Sequence, residues 1–139
     1  MGEQSLSPPM GYYQPRTIVL TGNIVIGASG AITSQSGMNA SGATGVKNAA
    51  AGRYDMTLGR GYKRLMRATA DVTSITAGSV GVVTDGNLAF VNGLLAANYA
   101  GTTPITTFTI QCLTSNGVAT AANPKSGDIV TWQLEVSDS

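Results

Sequence analysis

Two stretches of this chain, Thr17 to Val46 and Gly86 to Pro124, carry no charged side chain. Thr, Gly, Ala, Ser and Asn fill them, with Val, Ile and Leu between. Charged residues make up 11% of the chain, against roughly 25% in ordinary soluble domains. Strands and tight turns suit such a mixture of β-branched side chains and 18 glycines better than long helices do. The same scarcity bears on chemistry. Acid-base catalysis needs groups that titrate near working pH, histidine foremost, and this chain has no histidine. With its acids scattered singly, it is expected to build or bind and not to be an enzyme.

A hydrophobic content of 42% and a mean hydropathy of +0.12 support a packed core. At 139 residues the expectation is one domain, burying roughly two-thirds of its unfolded surface. Charge is uneven along the chain. Residues 1–70 hold Arg16, Lys47, Arg53, Arg60, Lys63, Arg64 and Arg67 against Glu3 and Asp55, a net +5. Residues 71–139 hold Lys125 against Asp71, Asp85, Asp128, Glu135 and Asp138, a net −4. This polarity either steers assembly with a complementary surface or cancels when the chain folds. A single cysteine, Cys112, excludes an intrachain disulfide, and Met1 to Ser5 show no signal peptide. The uncharged stretch 86–124 is too broken by Gly93, Gly101, Pro104 and Gly117 to cross a membrane as a helix. A protein made in a cytoplasm, with no membrane partner, is the expectation.

Residues 1–15 read as an extended N-terminal arm, because Pro8, Pro9 and Pro15 exclude regular ladders. Met10, Tyr12 and Tyr13 favour an arm laid along a partner, since loose tails rarely carry aromatics. From residue 16 to 139 the pattern is that of one β-sandwich domain. Thr17–Thr21 and Asn23–Ile26 are β-branched runs whose separation by Gly22 suggests a bulge or a tight turn. Short strands are expected at Ala31–Thr33 and around Val46. Tyr54, Met56 and Leu58 alternate with polar residues, and Gly59-Arg60-Gly61 reads as a turn. Tyr62 to Ser74 reads as a long strand with Tyr62, Arg64, Met66, Ala68, Ala70 and Val72 on one face. Val80, Val82 and Val83 suggest another strand, and Leu88 to Tyr99 a strand followed by a packed loop or helical turn.

The last two strands are the clearest. Phe108, Ile110 and Cys112 alternate with Thr107, Thr109 and Gln111; Val130, Trp132, Leu134 and Val136 alternate with Thr131, Gln133 and Glu135. Asn116-Gly117 and Asn123 to Asp128 supply turns. The whole predicts an antiparallel β-sandwich, jelly roll first and Ig-like as the alternative.

Candidate chemistry is sparse. Cys112 lies on an apolar face with no histidine to activate it, which favours core packing over nucleophilic or metal-binding roles. Asp71, Asp85 and Asp128 form no calcium-loop spacing, and no cofactor is expected. Arg53, Arg60, Lys63, Arg64 and Arg67, interleaved with Tyr54 and Tyr62, form the one charge cluster. Phosphates and stacked bases can be held by such a set, but a net charge of +1 argues against a nucleic-acid binder. A solvated face or a protein contact is the favoured reading.

The run Gly52-Arg53-Tyr54-Asp55-Met56-Thr57-Leu58, followed by Gly59-Arg60-Gly61-Tyr62 and closing on Ser126-Gly127-Asp128-Ile129-Val130-Thr131-Trp132-Gln133-Leu134-Glu135-Val136, resembles the jelly-roll cement, or decoration, proteins of tailed bacteriophages. The resemblance covers approximately residues 16–137. It implies a structural virion protein on the capsid surface, with the major capsid protein and its own copies (as dimer or trimer) for partners. Expected contacts to shell or subunit are Met10, Tyr12, Tyr13, Arg16, Arg60, Lys63, Arg64 and Arg67. A receptor- or glycan-binding tip domain of a phage head or tail fibre shares this composition and stands as the alternative.

Overall fold

The computed structural model describes residues 17–37, 42–74, 86–115 and 119–139. Met10, Tyr12, Tyr13 and Arg16, the Val80–Val83 segment and the Asn116-Gly117 turn lie outside these residues. The described strands are β1 (Thr17–Ile26), β2 (Ile32–Gly37), β3 (Thr44–Lys47), β4 (Arg53–Tyr62), β5 (Arg64–Thr73), β6 (Gly86–Asn92), β7 (Ile105–Ser115), β8 (Ala119–Ala121) and β9 (Ile129–Ser137). One short helix, α1 (Ala96–Ala100), joins β6 to β7. All pairings are antiparallel, in two sheets. The first runs β2-β1-β9-β5; the second runs β3-β4-β7-β6, with β8 pairing the far end of β7. The expected antiparallel sandwich is what forms.

Period two puts one face of each strand into the space between the sheets. Leu20, Ile24 and Ile26 of β1 and Val130, Trp132, Leu134 and Val136 of β9 meet Tyr54, Met56 and Leu58 of β4 and Phe108, Ile110 and Cys112 of β7 in one core. Thr107, Thr109 and Gln111 lie outside it, as the alternation predicts. The contact across the middle is Phe108 on Trp132, with ring centroids 5.2 Å apart and planes inclined at 60°.

Trp132 fits because its cross-strand neighbours are the smallest available, Gly22 on β1 and Ala70 on β5. A Cβ built on Gly22 would stand 2.5 Å from the indole ring. Gly22 is therefore not a bulge or turn between two runs. It lies inside a continuous ten-residue strand, and the indole fills the space a side chain would take.

Two further expectations are corrected. Gly59-Arg60-Gly61 is not a turn: β4 continues through it, but its register to β7 breaks between Thr57 and Tyr62. Nor do Tyr62 to Ser74 form one strand. Tyr62 ends β4, Lys63 is the corner where the chain changes sheet, and β5 begins at Arg64. In β5 an irregularity opposite Glu135 and Val136 adds a residue. Leu65 then joins Ala68, Ala70 and Val72 in the core, while Met66 is left 41% exposed. Alternation read from sequence cannot register an inserted residue, so the predicted face set shifted by one at this point.

Three connections are tied at one end of the sandwich. Asn123 accepts the Gly52 N–H at 2.7 Å and donates its side-chain amide to the Ser29 carbonyl at 3.1 Å. Gly52, at φ +69°, also accepts the Cys112 N–H at 2.7 Å. Buried Tyr54 donates its hydroxyl to the Gly30 carbonyl at 2.7 Å.

Trp132→Ala is expected to destabilise the fold by about 3–5 kcal/mol, and Gly22→Ala by about 1–3 kcal/mol through overpacking. Because the second cost arises from the indole, it should largely disappear in the double variant. Denaturant unfolding of the four proteins in a double-mutant cycle checks this; additive costs would mean that the ring and Gly22 do not compete for one space.

Candidate functional site

The basic cluster disperses on folding. Arg60 makes a two-pronged ion pair with Asp138, at 2.9 and 3.2 Å, and lies 4.0 Å over the Tyr62 ring. Its pKa is raised, first by that hydrogen bond to Asp138. Arg67 on β5 lies 3.8 Å from Glu135 on β9. Arg53 pairs with Asp55 at 3.1 Å, and the Asn48 amide, with Arg53 beside it, holds that carboxyl below its usual range. Lys63 is exposed at the corner, whereas half-buried Arg64 runs against the backbone of Gly101 after α1. The excess positive charge of the first half is thus met in part by acids of the last strand and tail. Of the five basic residues, Arg53, Arg60 and Arg67 each lie against an acid of the chain.

Cys112 is inert by its surroundings. Burial, and then the Asp128 carboxylate, push its thiol up to about 12, so the thiolate a nucleophile or metal ligand requires is suppressed. Among the described residues no three His, Cys, Asp or Glu side chains are grouped to hold a metal ion. No described helix is long and apolar enough to cross a membrane.

Among the described residues, an open groove lies where the two sheets meet at one side. There β5 ends the first sheet and β6 ends the second among the described residues. Between them runs a groove of about 440 Å³ lined by Arg67 to Asp71 of β5 and Ala89, Phe90 and Val91 of β6. Ala89 and Val91 turn inward and pack on the core, while Leu88 and Phe90 face outward, 49% and 41% exposed. α1 packs against β5 and adds exposed Leu95 and Tyr99 to the surface. Its position is fixed by buried Asn98, which accepts the Leu95 N–H at 2.7 Å and donates to the Thr103 carbonyl at 3.0 Å.

Of the expected contact residues, only Arg67 lines this groove. Arg60, Lys63 and Arg64 lie outside its lining, and Met10, Tyr12, Tyr13 and Arg16 are outside the described residues. Phe90 and Thr69 escaped the sequence reading, and Asp71 entered it only among the carboxylates set against a calcium loop. The signal was present in Gly86-Asn87-Leu88-Ala89-Phe90-Val91-Asn92, a strand without the Lys or Pro that usually guards an edge. Which strand lies at an edge is decided by topology, so the signal had no meaning before the fold was known.

No protein-family model, curated protein or solved structure matches the chain.

The Cys112 environment sets a pH dependence. Its folded-state pKa, about 12, exceeds the ordinary 9.0, so the folded state holds the thiol proton more tightly than the unfolded chain. That share of stability is complete below about pH 9 and is lost as pH rises toward 12. Tyr54, also raised by burial, acts in the same sense. Cys112→Val should therefore flatten, without abolishing, the alkaline fall in stability measured by denaturant unfolding from pH 8 to 11. A thiol reagent should label native Cys112 only on unfolding.

Proposed function

We propose that the protein is a structural, non-enzymatic virion component that attaches to the outside of a tailed-phage capsid and cements neighbouring capsomers, acting as a homo-oligomer. The observation that carries this reading is the surface of the sandwich. Its outward rows on β7 and β9 are mostly neutral hydrogen-bonding groups, Thr107, Thr109 and Gln111 on one and Thr131 and Gln133 on the other, with Glu135 and the neighbouring Arg67 and Asp71 of β5 as the charges beside them. Neutral groups desolvate more cheaply than ionised ones, which suits adhesion over a broad area. Arg53, Arg60 and Arg67 are already paired with acids within the chain.

Connectivity supports the sandwich on which this reading is built. The chain passes from one sheet to the other between β2 and β3, at Lys63, between β5 and β6, and between β8 and β9. The resemblance at Gly52 to Tyr62 and Ser126 to Val136 falls on β4 and on the turn and strand of β9, the elements that hold both sheets together. On composition, the proline-rich arm is the segment that reaches to a neighbour.

Quantifying the chain in purified particles of the phage that encodes it tests the reading. A cement protein is present in tens to hundreds of copies per head. A handful of copies at the tail or a fibre end would overturn cementing in favour of receptor or glycan binding, which the groove with Phe90, Arg67 and Asp71 would then serve. Deleting residues 2–15 should leave the sandwich folded, by circular dichroism, while weakening attachment to heads in a sedimentation assay. Unchanged attachment would remove the arm from the mechanism.

A further inference from the structure

We infer that two copies of this chain join edge to edge through β5 and β6, about a two-fold axis crossing the groove, so that both sheets continue from one protomer into its partner. This deepens, and rests on, the self-association in the proposed function. It begins from β6. An edge strand leaves backbone N–H and C=O groups unpaired, and proteins guard such strands with charge, proline or a bulge. β6 has none of the three: its seven residues are uncharged, contain no proline, and keep an unbroken register with β7. Its outward face adds Leu88 and Phe90.

A second copy, rather than a different protein, is indicated by how the side chains are spaced. Antiparallel pairing of β6 with its own copy about Ala89 sets Leu88 opposite the partner's Phe90, an apolar pair on the outer face, and brings no like charges together. β5 repeats the symmetry with charge. Arg67 and Asp71 stand equally far on either side of Thr69, all three on the outer face, where they pair with Glu135, Thr131 and Gln133 respectively in the order Arg67, Asp71, Thr69. Pairing about Thr69 places Arg67 opposite the partner's Asp71, and Asp71 opposite the partner's Arg67. Arg67 would then lie between Glu135, 3.8 Å away in its own chain, and a carboxylate of the partner. Thr69 and Ala89 line the same groove, and the proposed axis passes through both. Such an interface is isologous, as closed dimers require.

Ultracentrifugation and light scattering of the full chain test this. The wild type should be a dimer. Arg67→Asp, and separately Asp71→Arg, each set like charges opposite one another and should weaken the dimer about tenfold or more. The double variant R67D/D71R restores opposite charges across the axis and should recover most of that loss. Phe90→Lys should yield monomer, while Val46→Lys, an exposed apolar site on β3, should leave the dimer intact; circular dichroism confirms that each is folded.

Several results would overturn the inference. One is a monomeric wild type, including one whose groove instead binds an added oligosaccharide. Another is a dimer that survives both F90K and R67D, which would move self-association to another face. A double variant as weak as its parents would overturn the register about Thr69. Attachment to heads is measured on the same samples. A dimer of this kind that is absent from particles would refute the cementing function and keep the interface; a head-bound monomer would do the reverse.

Discussion

Everything in this sandwich hangs on β9, which is hydrogen-bonded along its whole length to β1 on one side and β5 on the other. It supplies four enclosed side chains, Val130, Trp132, Leu134 and Val136. The indole of Trp132 is the largest of them, and the first sheet accommodates it only because Gly22 and Ala70 flank it. Phe108 then closes on it from the second sheet. The spacing between sheets at this point is set by two rings, and the smaller residues around them fill what remains. A change of volume here is felt in both layers because interiors are packed nearly as densely as organic crystals.

The economy of charge has a structural counterpart. Arg60 reaches Asp138 and Arg67 reaches Glu135, so the positive first half and the negative second half meet where β9 and its tail lie beside β4 and β5. These are exposed pairs, and each adds little stability by itself. Their consequence is for recognition: they consume the charges that would otherwise have marked an electrostatic face. What is left for partners is mostly neutral, made of threonine rows, an apolar edge strand, and the exposed Leu95 and Tyr99 of α1, with Arg67 and Asp71 at the groove.

That edge is where fold and proposed function join. Among the described residues, the second sheet ends at β6, an uncharged strand that lies beside β5. On the opposite side the corresponding edges are bridged: the Gln35 side chain of β2 accepts the Gly45 N–H of β3 at 2.7 Å and donates to its carbonyl at 2.9 Å. One flank of the sandwich is thus laced by a side chain, and at the other β5 and β6 approach each other closely and carry a groove on their outer side. For a protein proposed to work by adhesion, that asymmetry gives the molecule a front and a back.

The sequence by itself determined the layers. Period two in β4, β7 and β9 named the core residues correctly, because burial on one face of a pleated strand requires alternation. It also determined that no histidine could stand beside Cys112, since the chain contains none. What it could not determine were the events that break the period or depend on distant neighbours. Gly22 looked like an interruption until Trp132, more than a hundred residues later, was seen to need its empty space. The added residue in β5 reversed the faces of Arg64, Leu65 and Met66, and Gly59 to Gly61 proved to be irregular strand instead of turn. Whether Arg60 and Arg67 would face a partner or be paired at home, and which uncharged strand would lie at an edge, were decided only by the order of strands in the sheets. Pairing order is a long-range property, whereas alternation is a local one.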